Sequence, residues 1–382
     1  MKTVGRGQLV VGGPLPFSIF DEDNNLLLAK GLILRNDRQL AALVDRGVYF
    51  DETEENAPPK PTRPSSSGGD AGIAPVVQET PIDQISKIRR ELSALLGQQP
   101  INPHNFAGRI LALATRLANV CADHPEAALA TTLYDREFRY SMRHMIHVAI
   151  VANVVAEGAK MDPSDHFSII CAALTMNLGM LDLQDSLNKM QGQELSPAQR
   201  QTIREHPAKS VAMLRQMGVD DQTWLDFVAQ HHEVIDGSGY PRGLKGQEIA
   251  LGAQILALSD QYTARLEHRA DRGAVAPNHS LREIFLTGGK HVDPMLAAVL
   301  VKRVGIYPPG MIVELENGEV AVVTKRTGNA NAPEVHAFLT PGRTLLDRYL
   351  KRDTTTKPYT IKGSVPLDSI KVRINPLQFW NR

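Results

Sequence analysis

Residues 57–80 divide the chain more clearly than any other stretch of the sequence. They read APPKPTRPSSSGGDAGIAPVVQET, a run of Pro, Ser, Gly and Ala with almost no large apolar side chains. Such a composition cannot bury enough apolar surface to offset the entropy that a chain loses on folding. We therefore expect a flexible linker here, with separate folded blocks on either side. A length of 382 residues, 42% of them hydrophobic, is enough for two or three such blocks.

The two ends of the chain carry β-strand patterns. Residues 17–34, FSIFDEDNNLLLAKGLIL, contain two apolar runs around a turn-forming Asp and Asn cluster. This pattern predicts a hairpin within a small β-rich module over residues 1–56, which contains no catalytic constellation. Residues 312–326 place an Asn-Gly pair between two alternating runs, a strong hairpin signal. We expect residues 306–382 to form a β-rich appendage.

The middle of the chain, residues 81–305, has helical periodicity and clear helix boundaries. Ser196 and Gln199 form a capping box with Pro197 at the first helical position, and Gly218 is suited to end the helical run SVAMLRQMG. The sequence therefore predicts a mainly α protein. Its helical central domain lies between the β-rich N-terminal module and the β-rich C-terminal appendage.

Charge and cysteine content exclude several classes of protein. The formal net charge is zero, so no global field directs the chain to DNA or to an anionic membrane. The two cysteines, Cys121 and Cys171, lie in apolar helical contexts, which suits a reducing compartment better than a disulfide framework. The longest apolar patch, residues 148–156, is interrupted by Asn153 and is far shorter than the ~18 residues of a membrane span. The N-terminus lacks the pattern of a signal peptide, and we expect a cytoplasmic protein without a membrane span.

Two adjacent histidines are the first candidates for metal binding. His231 and His232 come directly after the apolar run WLDFVAQ, which predicts the end of a helix that faces the interior. Imidazole is the commonest metal ligand in proteins, and carboxylates complete sites for Fe, Mn or Zn. Glu233 and Asp236 follow closely in the sequence.

Three further residues fit the same site. His144 lies on the apolar face of its helix, and His206 precedes Pro207, which suits a first helical turn and predicts a helix junction at His206. Asp260 follows the apolar run AQILALS, at the expected end of a buried helix, where a carboxylate needs a partner. Each of them alone suits a satisfied polar residue of the core. Their joint occurrence favours a buried metal site.

The stretch HHEVIDGSGYPRGLKGQEI at 231–249, followed by AQILALSDQYTA at 253–264, resembles a known signature. It is similar to that of HD-GYP domains, which are helical phosphodiesterases of the HD superfamily that cleave cyclic di-GMP. The resemblance covers about residues 130–345 and implies an HD-superfamily helical bundle. It implies iron or manganese as the metal. By the family's pattern, the implied ligands are His144, His206, His231, His232 and Asp260.

The HD dyad of that family is absent from this chain. The family's stretch reads approximately AALLHDIGK, whereas residues 172–180 read AALTMNLGM. Met176 and Asn177 stand at the dyad positions, and Met180 stands at the usual Lys. A two-metal phosphodiesterase needs an anionic bridging ligand, whereas Asn offers a neutral carbonyl oxygen and Met a soft thioether. These substitutions predict a degenerate member with little or no phosphodiesterase activity.

The loop with the Gly-Tyr-Pro triplet keeps residue types that suit an anionic ligand. Gly237 and Gly239 permit positive-φ geometry, and arginine side chains bind phosphate through paired N–H groups. The resemblance implies cyclic di-GMP as ligand and a diguanylate cyclase (GGDEF) domain as a protein partner. The residues implied in nucleotide or partner binding are Asp236, Gly237, Gly239, Tyr240, Pro241, Arg242, Lys245, Arg269 and Arg272.

Two alternatives stay open. The chain is an active metal-dependent phosphodiesterase if Glu233, Asp236 or Asp182 replaces the lost ligands. It is a purely structural interaction scaffold if the histidines are ordinary core residues and the site is empty.

Overall fold

Helices make up most of the structure, a computed structural model, and small antiparallel sheets lie at both ends of the chain. The predicted mainly α fold is therefore confirmed. The residues that the structure describes are 2–22, 26–34, 37–44, 48–50, 79–97, 101–134, 138–190, 194–266, 275–286, 289–366, 369–370 and 375–380. Most of the predicted linker lies outside the described residues, as do Arg269 and Arg272.

The N-terminal sheet has the strand order β1-β4-β2-β3, and all neighbouring strands are antiparallel. Its elements are β1 Lys2–Thr3, β2 Ile19–Phe20, β3 Leu26–Leu28, α1 Asp37–Val44 and β4 Tyr49–Phe50. The pairing of β2 with β3 confirms the predicted hairpin. Phe17 and Phe50 stack in its core with ring centroids 4.1 Å apart. Ala112 belongs to the same core, so the module packs on the central helices.

The central helices share one hydrophobic core. They are α2 Pro81–Leu96, α3 Phe106–Asp123, α4 Pro125–Tyr134, α5 Tyr140–Gly158, α6 Pro163–Ala173, α7 Leu181–Leu187, α8 Pro197–Gln216, α9 Gln222–Gln230, α10 Leu251–Leu266, α11 Pro277–Leu286 and α12 Pro294–Val304. The predicted capping box is present, because Ser196 Oγ accepts from the Gln199 amide and Gln199 Oε1 accepts from the Ser196 amide. Gly218 follows the C-cap of α8 with a φ of 78°, which a glycine adopts readily.

Helix α5 runs through the middle of this core. Almost all of its side chains are buried, and it packs against α6, α10 and α12. This packing places His144 of α5 opposite Asp260 of α10, and it explains why the sequence of α5 is nearly continuously apolar.

One stretch, Pro163–Leu187, has the length and apolar composition of a membrane span. In the structure, 72% of its most apolar window is buried inside the protein, as expected of a core element. A turn and a short 3-10 helix, Leu178–Met180, also separate α6 from α7 within this stretch.

The C-terminal sheet has the strand order β8-β7-β6-β5-β9 and is antiparallel throughout. Its strands are β5 Ile312–Leu315, β6 Val320–Lys325, β7 Glu334–Leu339, β8 Leu345–Asp353 and β9 Ile361–Ser364. The Asn-Gly hairpin between β5 and β6 is present, with Gly318 at a φ of 84°. An ion pair between Glu126 of α4 and Arg326 joins this sheet to the helices.

Candidate metal centre

Three histidines, two of them buried and one half-buried, converge from two neighbouring helices. His206 lies within α8, His231 is the C-cap of α9, and His232 follows it in the next turn. One ligand atom from each of the three lies within 4.8 Å of the other two. The predicted helix junction at His206 is wrong, because Pro207 lies inside α8 and the helix continues through it. The grouping of the three imidazoles nevertheless agrees with a shared ligand role.

Backbone carbonyls fix the orientation of two of these rings. The Nδ1 atom of His206 lies 2.6 Å from the Ile203 carbonyl, and that of His231 lies 2.7 Å from the Val228 carbonyl. A carbonyl oxygen only accepts, so both Nδ1 atoms carry the proton. The Nε2 atoms of His206 and His231 then face each other at 3.1 Å, each with a lone pair.

The surroundings keep these imidazoles neutral. Burial lowers the pKa of His206 to about 3, with a further lowering by His231. Burial also lowers the pKa values of His231 and His232. The nearby rings of His231, His206 and His144 lower the pKa of His232 further. Two lone pairs in contact repel each other, and a protonated ring is disfavoured here. A metal cation resolves this conflict, since it accepts both lone pairs.

The separation of the Nε2 atoms fits a common ion. Nitrogen ligands lie about 2.1 Å from a zinc-sized ion, which puts two of them about 3.0 Å apart at a right angle and about 3.4 Å apart at a tetrahedral angle. The observed 3.1 Å between His206 and His231 lies within these limits. The three histidines therefore fit one divalent metal ion.

His144 and Asp260 form a second group of predicted ligands. The His144 Nε2 atom lies 2.6 Å from the Asp260 Oδ1 atom, and the ring of His144 is buried. Burial raises the pKa of the Asp260 carboxyl, but the hydrogen bond from His144 and the nearby histidines outweigh it and lower that pKa. Asp260 lies within α10 and not at its end, which corrects the expectation from the sequence.

One cavity of about 340 Å³ connects this pair with the three-histidine cluster. His144, Asp260 and His232 contribute to its wall, and Tyr140 stacks on His144 with ring centroids 5.4 Å apart. Met180 lines the same cavity. Three of the five predicted ligands therefore line this cavity, and the other two, His206 and His231, lie beside His232.

The two dyad positions carry no charged group. Met176 is fully buried in the hydrophobic core. Asn177 is 2% exposed and lines the cavity, and its Nδ2 donates to Gln184 Oε1 at 3.3 Å. Among the described residues, none donates a hydrogen bond to Asn177 Oδ1, so a buried acceptor remains for a ligand.

Two side chains fix the turn that contains the dyad positions. Ser210 Oγ donates to the Met176 carbonyl at 2.8 Å and accepts from the Gly179 amide at 2.9 Å. Trp224 Nε1 donates to Thr175 Oγ1 at 2.8 Å. The turn is thus attached to α8 and α9, the helices that provide the histidines. Sequence reasoning missed these residues and Gln184, because no local pattern reports such tertiary contacts.

The three carboxylates proposed as substitute ligands form hydrogen bonds or ion pairs with other groups of the protein. Glu233 is buried and accepts the backbone N–H groups of Arg242 at 2.7 Å and Leu244 at 2.9 Å. Asp236 accepts from the Ser238 amide, and its other oxygen lies 3.5 Å from His291 Nδ1. Asp182 is 80% exposed and pairs with Arg139 at 2.7 Å. Glu233 is therefore an anchor of the loop.

The Gly-Tyr-Pro loop packs against the histidines through Tyr240. Its ring stacks on His232 with centroids 4.8 Å apart, and its amide donates to the His232 carbonyl at 3.0 Å. The peptide bond between Tyr240 and Pro241 is cis. Arg242 and Lys245 are exposed and do not line the cavity, in contrast to Tyr240.

The two predicted glycines of this loop act in different ways. Gly237 has a φ of 83°, and a Cβ there would lie 2.3 Å from Lys245 Cε. The positive φ predicted for Gly239 is wrong, since this residue lies outside the left-handed region. A Cβ at Gly239 would instead lie 2.4 Å from the Val234 amide nitrogen, so close backbone packing requires glycine.

Comparison with known proteins agrees with the signature in the sequence. The model of the HD domain family matches residues 117–296, a range that contains all five predicted metal ligands. A cyclic di-GMP phosphodiesterase of Pseudomonas aeruginosa is 30% identical over 218 residues, which are 56% of this chain and 52% of the relative. Residues 117–296 therefore form an HD domain, and the stretch at 231–249 that resembles the HD-GYP signature lies within it.

The relatives differ in the cyclic dinucleotide that their names specify. A 3′3′-cGAMP-specific phosphodiesterase of Vibrio cholerae is 26% identical over 176 residues, which are 46% of this chain and 38% of the relative. A cyclic di-GMP phosphodiesterase of Borreliella burgdorferi is 22% identical over 59% of each chain. The solved structure of an HDG"Y"P protein from Bdellovibrio bacteriovorus aligns with a TM-score of 0.49 and 15% identity, and covers 78% of this chain and 97% of that chain. The chain spans about half the length of the curated relatives it matches.

Proposed function

We propose that this HD-GYP protein binds a cyclic dinucleotide, cyclic di-GMP in the first instance, and hydrolyses it slowly or not at all. The observation that carries the proposal is the position of Asn177. This neutral amide lines the cavity that His144, Asp260 and His232 also line. The cavity therefore has predicted metal ligands on its wall and an uncharged group at the dyad position.

The chemistry of phosphodiester cleavage supports low activity. Two metal ions about 3.5–4 Å apart share a bridging ligand and activate a hydroxide in such sites. Asn177 offers one neutral oxygen, and Met176 is buried in the core. The acidic side chains of Glu233, Asp236 and Asp182 hydrogen-bond or pair with other groups. Loss of one such charge-stabilising term typically costs about 10²–10³ in rate, and we expect a loss of at least that size.

A single metal ion fits the cluster of His206, His231 and His232. Three neutral imidazoles suit iron or zinc, and the sequence resemblance implies iron or manganese. The ion would supply positive charge that attracts a phosphate of the ligand. His144 and Asp260 form a hydrogen-bonded pair on the wall of the cavity.

The names of the relatives support the ligand class. They include cyclic di-GMP phosphodiesterases and a 3′3′-cGAMP-specific phosphodiesterase. A partner with a GGDEF domain rests on the resemblance alone. We further propose a cytoplasmic location, which suits two buried thiols such as Cys121 and Cys171.

The domain division is also a proposal. We place the N-terminal module at 1–56, the linker at 57–80, the helical domain at 81–305 and the appendage at 306–382. Limited proteolysis tests the linker, since cleavage concentrates in exposed segments without packed contacts. First cuts within 57–80 support the division, and first cuts within 81–305 contradict it.

The functional test combines hydrolysis with binding. Purified protein loaded with manganese or ferrous iron is incubated with cyclic di-GMP, and nucleotide products are separated by chromatography. Calorimetric titration then measures binding of cyclic di-GMP and of 3′3′-cGAMP. Binding with turnover at least about 10²-fold below that of an HD-GYP relative with the intact dyad supports the proposal. Turnover equal to the relative's indicates an active enzyme, and absence of heat for metal and for both nucleotides indicates a structural scaffold.

A further inference from the structure

A second cavity, of about 540 Å³, lies between α3, α5, α6 and α12. None of its lining residues also lines the cavity of His144 and Asp260. Its volume is within the range of about 300–1,000 Å³ that is typical of small-molecule sites. The cavity is therefore large enough for a ligand of its own.

The floor of this cavity is apolar. Ala118, Cys121, Phe167 and Ile170 line it and are buried. Burial raises the pKa of the Cys121 thiol to about 12, and the charge of Glu157 adds to that effect. The thiol stays protonated, so Cys121 is an apolar wall residue and not a nucleophile.

The wall of the cavity carries three cationic side chains and two carboxylates. Glu157 pairs with Arg303 at 2.5 Å, and Glu126 pairs with Arg326 at 3.0 Å. Lys302 also lines the cavity and has no ion pair within the described part of the chain. The wall therefore has one positive charge in excess of its carboxylates.

Two further polar side chains, Arg303 and His166, lie in the wall of the cavity. The Arg303 Nε atom is buried, and no hydrogen-bond partner for it is found among the residues that the structure describes. His166 Nε2 lies 3.0 Å from the Asn153 side-chain oxygen, which only accepts, so this nitrogen carries the proton. Burial lowers the pKa of His166, so the ring is neutral and adds no charge. A surplus cation beside an apolar floor suits an anionic acceptor.

We propose that this cavity binds a small organic anion with an apolar, ring-containing body. The body lies on Cys121, Phe167 and Ile170, and the acidic group faces Lys302 and Arg303. The ligand contacts α5, which carries His144, and α6, which leads into the turn with Asn177. The site does not depend on the proposed nucleotide or metal, because it shares no side chain with the metal centre.

The test uses 8-anilinonaphthalene-1-sulfonate, an aromatic sulfonate that fluoresces on binding, with the full-length chain. N-phenyl-1-naphthylamine has the same rings without the sulfonate and serves as the uncharged control ligand. Lys302→Glu reverses the surplus charge, and Ala122→Trp fills the mouth of the cavity. Both positions are exposed and line the cavity, so both variants should fold, which circular dichroism and Tm verify. Lys87→Glu, at an exposed position of α2, is the matched charge control.

The expected result is saturable binding of one sulfonate probe per chain. Lys302→Glu and removal of the sulfonate should each weaken binding by at least about tenfold, because a charge-assisted contact is lost. Ala122→Trp should abolish binding, and Lys87→Glu should leave it unchanged. Equal affinity for the uncharged control ligand would overturn the anion assignment. Normal probe binding to Ala122→Trp would overturn the site itself.

Discussion

The Nε2 atoms of His206 and His231 face each other at 3.1 Å, while their Nδ1 atoms contact backbone carbonyls. Both rings therefore present a lone pair to the same point. Metal-ligating histidines are commonly oriented in this way, with the second ring nitrogen donating to a carbonyl or carboxylate. A bound cation is therefore needed to balance the two lone pairs of the cluster.

Replacing one ring of the cluster should remove the metal. We expect His206→Ala to lower the metal content of the purified protein by more than about tenfold, because the two remaining histidines lose the third ligand. Elemental analysis after dialysis measures this. His104→Ala is the matched control, since His104 is a partly exposed ring that pairs with Glu22. Unchanged metal content in His206→Ala would show that the ion, if any, binds elsewhere.

Removal of the metal should destabilise the fold. A ligand present at about 100 times its Kd stabilises the folded state by about 2.7 kcal/mol. We expect a chelator to lower the Tm by several degrees in the native protein and to have no effect on His206→Ala. Differential scanning calorimetry measures both. An equal fall in both proteins would mean that the chelator acts at another place.

Restoring the dyad should add a second ion and some turnover. The substitution of Met176→His together with Asn177→Asp supplies an imidazole and a carboxylate at the turn that Ser210 and Trp224 hold in place. We expect at least about tenfold more cyclic di-GMP hydrolysis than in the native protein, since a two-metal centre can then form. Asn177→Leu removes the amide without adding charge and is the control. If the double variant hydrolyses no faster than Asn177→Leu, the pocket differs from the family in more than its dyad.

The buried carboxylate of Glu233 should stabilise the Gly-Tyr-Pro loop. It accepts two backbone N–H groups, at Arg242 and Leu244. We expect Glu233→Ala to cost about 2–4 kcal/mol of unfolding free energy, because one buried and one part-buried backbone donor lose their acceptor. Urea unfolding measures the loss, and hydrogen exchange should be faster at the two amides. Glu248→Ala is the control, since Glu248 is exposed and caps a single amide. An equal, small effect of both variants would contradict the anchoring role.

Close backbone packing should make Gly239 intolerant of a side chain. A Cβ there would meet the Val234 nitrogen at 2.4 Å, whereas a Cβ at Gly328 meets no atom within 4 Å. We expect Gly239→Ala to lower the unfolding free energy by about 1–3 kcal/mol and to displace Tyr240 from His232. Gly328→Ala should be neutral. Thermal unfolding and a crystal structure of the variant check both expectations.

Local signals in the sequence predicted local structure well. The capping box at Ser196, the Asn-Gly hairpin before Glu319 and the hairpin of the N-terminal module are all present. Each depends on residues within a few positions of one another, so the sequence alone contains the information. The five predicted ligands also lie close to one another. The sequence could predict this because a family signature reflects a shared tertiary arrangement.

Contacts between distant elements could not be predicted from the sequence. Proline after His206 indicated a helix start, yet packing keeps α8 continuous through it. The sequence suggests Glu233 as a substitute ligand, but the loop folds back and places two amides on its carboxylate. The glycine at 239 is required by close backbone approach and not by its φ angle. These features depend on how the loop returns to its helix, which no local pattern encodes.

The most direct test of the central claim is a count of metal ions per chain. The protein is purified anaerobically without chelators, and iron, manganese and zinc are measured against protein concentration. We predict at most one ion per chain, held by His206, His231 and His232. Two ions per chain in the native sequence would contradict the account, because a dinuclear centre would then form without an anionic ligand at residue 177.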